Sequence, residues 1–200
     1  MLSEFQVFLR LGFEHIADIR GYDHILFIVA LCGGYELRHW RRILILVTAF
    51  TVGHSITLAL ATLRLVTVND ALVEFLIPLT IFLTAVMNIA ASSPKDGVLA
   101  EMKRTRLLKY IMAIGFGLIH GLGFSNFLRA LLGAEEGIAL PLFAFNVGLE
   151  LGQICIVLAV LILTFLVVRL GRMRRHDWIL VLSGATAGVA LTLMIERFSG

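Results

Sequence analysis

Residues 44–63, LILVTAFTVGHSITLALATL, run for twenty positions without an Asp, Glu, Lys or Arg. As a helix that stretch reaches about 30 Å, the thickness of the hydrocarbon core of a bilayer. It reads as a membrane span with one ionisable side chain, His54, in its interior. Residues 110–124, YIMAIGFGLIHGLGF, repeat the pattern around His120. An ionisable residue inside a span costs roughly 2.5–3.5 kcal/mol for charged types, so such residues usually line a site or a pathway.

The composition agrees outward from these two stretches. Of 200 residues, 59% are hydrophobic and only 16% are charged, outside the range of soluble domains. The expectation is one integral membrane domain over residues 1–200, an all-α bundle of about six spans. Cut at the charged loops, they lie near 22–37, 40–64, 70–92, 107–132, 138–168 and 178–196. The first is short and the fifth long, which predicts tilt or an irregular entry at both. Residues 1–20 scatter Glu4, Arg10, Glu14, Asp18 and Arg20 among Phe5, Phe8, Leu9, Gly12, Phe13 and Ile16 at helical spacing. They read as an amphipathic helix lying in the interface, not as a secretory signal. Cys32 and Cys155 fall within spans without paired spacing and read as small apolar residues.

The basic residues fall in alternate connections: Arg38, Arg41 and Arg42; Lys95, Lys103, Arg104 and Arg106; Arg169, Arg172, Arg174 and Arg175. The connections around Asp70 and around Glu135 and Glu136 have none beyond the flanking Arg64 and Arg129. The positive-inside rule then puts the basic loops in the cytoplasm and both termini outside. The expected location is a bacterial cytoplasmic membrane, with lipids as neighbours and a homo-oligomer left open. The net charge of +3 is accounted for by orientation, and nothing suggests nucleic-acid binding.

Depth follows from topology. His54 lies 14 residues beyond Trp40 and His120 lies 13 beyond Leu107, so both imidazoles sit roughly 20 Å up from the cytoplasmic side. Asp23 and His24 enter at the outer side with span one. Span five carries Asn146, Glu150 and Gln153 on one face, at i, i+4 and i+7. Glu74 opens span three, with Asn88 deeper on the same stripe, and Thr48, Thr51, Ser55 and Thr62 line span two. GxxxG spacings at Gly117/Gly121, Gly148/Gly152 and Gly184/Gly188 would let helices approach closely. Each residue has a bland reading as well: a lone histidine can bond a neighbouring carbonyl, and Asn146 and Gln153 can be interhelical glue. Glu150 is harder to dismiss, because a carboxylate near the midplane needs a partner. His39 and His176, among arginines, read as interface residues.

Imidazoles with one or two carboxylates suit Zn(II), Ni(II), Co(II) or Cu(II) rather than Cu(I). The candidate ligands are Asp23, His24, His54, His120 and Glu150. His15, Glu74, Asn146, Gln153, Ser55 and Asn88 are candidates for a wider polar path.

The blocks HIADIRGYDHILF (15–27), FTVGHSITL (50–58), VEFLIPLTI (73–81), FGLIHGLGF (116–124) and FNVGLELGQ (145–153) resemble the hydrogenase/urease accessory membrane proteins of the HupE/UreJ type, regarded as nickel or cobalt permeases. The resemblance covers roughly residues 12–155. It implies that His15, Asp23 and His24 correspond to the family's His-x5-Asp-His metal motif, and His54, Glu74, His120, Asn146 and Glu150 to its other polar positions. Seven residues separate His15 from Asp23 here, so the chain would be a divergent member.

Two functions are consistent with these residues. In a permease, Asp23, His24 and Glu74 capture a hydrated cation, His54 and His120 replace part of its water, and Asn146, Glu150 and Gln153 take it inward. In a zinc-dependent intramembrane hydrolase, histidine-bound zinc activates water and Glu150 or Asp23 serves as general base against a lipid or peptide. A serine hydrolase using Ser55 or Ser125 is disfavoured, since His54 and Ser55 point about 100° apart on a helix.

Overall fold

A computed structural model describes residues 3–92, 103–132 and 137–199, and of 103–106, 132 and 199 the backbone alone. Lys95, Glu135 and Glu136 lie outside the described residues, and so do the side chains of Lys103, Arg104 and Arg106.

Regular structure among the described residues is helical: α1 (Glu4–Ala17), α2 (Asp23–Cys32), α3 (Trp40–Thr62), α4 (Asp70–Ala91), α5 (Lys103–Gly123), α6 (Ser125–Leu132), α7 (Ala139–Phe165) and α8 (Arg175–Ser199). Side chains start two of these helices: Ser3 and Gln6 form a capping box on α1, and Asn69 accepts from the amides of Ala71 and Leu72 on α4. Such caps satisfy amides that a helix start leaves without partners. Arg64 closes α3 with a φ of 60°.

Among the described residues, four helical segments are long and apolar enough to cross a membrane: Leu37–Thr62, Asp70–Ala91, Ala139–Leu170 and Arg175–Phe198. α5 and α6, bent by 47°, make a fifth if counted as one span. The chain is an integral membrane protein. The expected first span is instead α2, whose ten residues reach about 15 Å, half the hydrocarbon thickness. The expected span extends to residue 37, whereas α2 ends at Cys32. Gly33 and Gly34 end it, and a 3-10 turn at Leu37–His39 leads into α3. The expected irregularity of the fifth span is also present, as a π-helical turn at Leu166–Leu170 that extends α7.

Glycine decides which helices meet. A Cβ on Gly53 would strike the Ile114 carbonyl, and Cβ atoms on Gly117 and Gly121 would strike the carbonyls of Phe50 and His54. The backbones of α3 and α5 therefore touch, with both chains running in the same sense. The same construction joins α1 to α7, where Gly12 faces the Phe145 carbonyl, Gly148 the Leu9 carbonyl and Gly152 the side chain of Ile16. Amphipathic α1 is thus packed against the bundle, burying Phe8, Gly12 and Ile16. The third expected glycine pair does not act this way. Nothing lies within 4 Å of a Cβ on Gly184 or Gly188, because α8 turns Ser183, Thr186 and Ala190 inward instead.

α4 runs antiparallel to α5, pairing Thr80 with His120, and its start pairs Asp70 with Asn126 of α6. α2 runs antiparallel to α8, from an ion pair of Asp23 with Arg197 to a bond from Arg175 to the Gly34 carbonyl. The molecule therefore has an Asp70/Arg197 end and, opposite, an end where Glu36 binds Arg38 and Arg175.

Candidate metal centre

Both glycine seams deliver a histidine to one place. His15 stands one turn beyond Gly12, and His54 follows Gly53; α2 adds His24 between them. One ligand atom from each of His15, His24 and His54 lies within 4.8 Å of the other two. The ring centroids of His15 and His24 are 4.6 Å apart, and that of His120 is 5.1 Å from His24. Phenylalanines wall the cluster: Phe124 is 4.0 Å from His15, and Phe27 and Phe50 are 5.2 and 5.1 Å from His120. His54 is fully buried and His120 nearly so.

Hydrogen bonds aim these rings. His24 Nδ1 lies 3.0 Å from Asp23 Oδ1, so that nitrogen donates and Nε2 keeps a lone pair. Thr80 donates its hydroxyl to the Ile77 carbonyl at 2.7 Å and can therefore only accept from His120 Nε2, 3.1 Å away. In the neutral ring His120 Nδ1 is then the free acceptor. Among the described residues, the ring nitrogens left buried without a partner are His15 Nε2, His24 Nε2, both nitrogens of His54 and His120 Nδ1. A buried polar atom without a partner costs about 1–3 kcal/mol, and His15, His24 and His54, with His120 beside His24, form a donor set for a borderline cation.

A cavity of about 320 Å³ leads to the cluster. Exposed Asp18 and Glu74 stand at its mouth, Asp23 and Arg197 behind them, and His15, His24 and His120 along its wall. The approach is acidic and the floor is imidazole, an order that suits a hydrated cation losing its water stepwise.

The remaining sequence candidates are placed as follows. Glu150 stands apart from the imidazoles and accepts from Thr48 at 2.7 Å. Gln153, fully buried, accepts from Thr51 at 2.8 Å. These are successive rungs between α3 and α7, and His54 lies one turn beyond Thr51. Asn146 donates to the Leu142 carbonyl and keeps Oδ1 without a partner. Asn88 donates to the Ala30 carbonyl, which makes it interhelical glue, and Ser55 is spent on the Thr51 carbonyl of its own helix. Ser125 likewise donates to the Leu122 carbonyl. His176 meets the Ser92 carbonyl and His39 the Glu36 amide, both at the end away from the cluster.

Asp18, which in the sequence reads like His15 as intermediate between an interface residue and a ligand, occupies the mouth. One participant is not legible in the sequence as a candidate. Arg197 sits on α8, a helix without an evident candidate, and binds Asp23 Oδ2 at 3.2 Å. The signal for Arg197 lay in Pro78 of VEFLIPLTI. A proline inside a helix leaves the carbonyl four residues earlier without its donor; here that carbonyl belongs to Glu74, and Arg197 Nη1 donates to it at 2.8 Å.

No curated protein and no solved structure matches the chain. Residues 1–197, nearly the whole chain and every helix that builds the cluster, match the family described as HupE / UreJ protein, and the chain belongs to that family.

Proposed function

We propose that the protein is a membrane permease for a divalent transition-metal cation, Ni(II) or Co(II) in keeping with its family. The observation that carries this reading is the cluster of His15, His24 and His54, one ligand atom of each within 4.8 Å of the other two, with ring nitrogens buried without a partner and His15 and His24 lining an acid-mouthed cavity. His15, His24 and His54 hold the cation, His120 joins from the side, and Asp23 orients His24. Thr51 and buried Gln153, one turn from His54 across the α3/α7 interface, offer the cation its next oxygen ligands, whereas the Thr48–Glu150 bond lies at an exposed position. Asp18 and Glu74 recruit it. The cavity faces the periplasm of a bacterial cytoplasmic membrane, and the arginine-rich end faces the cytoplasm.

A hydrolase would need a free carboxylate beside the metal. Asp23 is held by His24 and Arg197, and Glu150 by Thr48, so the geometry gives that reading no support.

The test is uptake of Ni(II) and Co(II) into vesicles reconstituted with the purified protein, with metal content measured by mass spectrometry on the same preparations. Wild type should bind metal reversibly and carry it inward, and His54→Ala should do neither. Metal that is bound but never crosses would overturn transport, and wild type without metal would overturn the whole reading.

A further inference from the structure

A guanidinium at the mouth of a cation site works against entry, yet Arg197 is built in from two sides. Its Nη1 takes the Glu74 carbonyl that Pro78 leaves without a helical donor, and its Nη2 takes Asp23 Oδ2. The other oxygen of that carboxylate is the one that holds His24 Nδ1 and the His24 amide. Asp23 is therefore shared between an arginine and a ligand imidazole. A carboxylate behind a metal-binding histidine raises its basicity and strengthens the metal bond. A guanidinium on the same carboxylate draws off part of that charge and weakens it. Transport needs the weaker bond, since a cation must leave as well as enter.

We propose that Arg197 is a positioning residue that sets affinity: anchored on the carbonyl freed by Pro78, it shares Asp23 with His24 and keeps the imidazole cluster weak enough to exchange its cation. The inference rests on the permease reading and deepens it. Three helices meet in this one contact, α8 through Arg197, α4 through Glu74 and α2 through Asp23, so the site is adjusted by a helix that contributes no ligand.

The experiment is equilibrium binding of Ni(II) and Co(II) to the full chain in detergent at fixed pH and salt, with the rate of release to a chelator followed alongside. Arg197→Gln should bind about tenfold more tightly and release correspondingly more slowly, while Arg197→Lys, which keeps the charge, stays near wild type. In an Asp23→Asn background the tightening from Arg197→Gln should shrink to within about twofold, because Arg197 acts through that carboxylate. Unchanged or weaker binding by Arg197→Gln, or equal tightening in both backgrounds, would overturn the proposal. Should Arg197→Gln not fold, Pro78→Ala returns a helical donor to the Glu74 carbonyl with the arginine in place; several-fold tighter binding supports the proposal and unchanged affinity defeats it. Binding by wild type with an indifferent Arg197 sinks this inference alone. No binding by wild type sinks the permease reading and this inference with it.

Discussion

At the scale of single residues, the site is made of nitrogens whose partners are fixed by neighbours. His24 is oriented by Asp23 and His120 by Thr80, whereas His54 has no partner at either nitrogen. His54 therefore contributes little to folding that metal would not supply, and His54→Ala should fold normally and purify without metal, as elemental analysis beside wild type would show. His15→Ala should lose metal equally; retention of a full equivalent would remove α1 from the site. A metal-bound imidazole must be neutral, so cation and protons compete. Binding should be full on the alkaline side and weaken as the medium is acidified, with a slope steeper than one proton per metal; binding that does not change with pH would argue against histidine ligands. The sequence disclosed His54 and His120 because each is the polar anomaly of an apolar run. His15 was less conspicuous, since a histidine in a charged amphipathic segment is unremarkable, and Arg197 looked like any arginine at the end of a span.

At the scale of elements, close packing of backbones replaces the burial of large side chains. Lipid offers apolar contact as readily as another helix does, so helices in a bilayer associate where small residues let their backbones approach. That explains why Gly53, Gly117 and Gly121 sit where α3 meets α5, and Gly12, Gly148 and Gly152 where α1 meets α7. Leucine at Gly117 or Gly148 should cost at least about 1–3 kcal/mol through overpacking and pull a histidine from the cluster. Leucine at Gly184 or Gly188 meets open space and should leave stability unchanged. Thermal melting in detergent, read by the loss of the monodisperse peak, separates the two groups; equal losses would show that the seams are not what holds the bundle. The GxxxG spacing by itself gave all three pairs the same weight. It records that a close approach is possible, whereas the partner is chosen by tertiary contacts with no local signature. Ten-residue α2 read as a longer span because Tyr35 and Leu37 follow Gly33 and Gly34 and the first basic residue comes only at Arg38.

At the scale of the whole molecule, the arrangement has a polarity that the charge pattern assigns and the cavity makes consequential. Asp18, Asp23 and Glu74 gather at the end where α4 begins and α8 finishes, and Arg38, Arg172, Arg174 and Arg175 gather at the other. On the proposed permease reading, with the arginine-rich end placed in the cytoplasm, the cavity would draw its cation from outside and the direction proposed is import. In a chain lacking Cys32 and Cys155, Ile19→Cys sits on an exposed loop beside the cavity and Arg172→Cys on an exposed loop at the arginine-rich end. A membrane-impermeant thiol reagent applied to intact spheroplasts should label Ile19→Cys at once and Arg172→Cys only after permeabilisation. The reverse pattern would leave the metal centre intact but turn its mouth to the cytoplasm, and the same imidazoles would then load a cation for export.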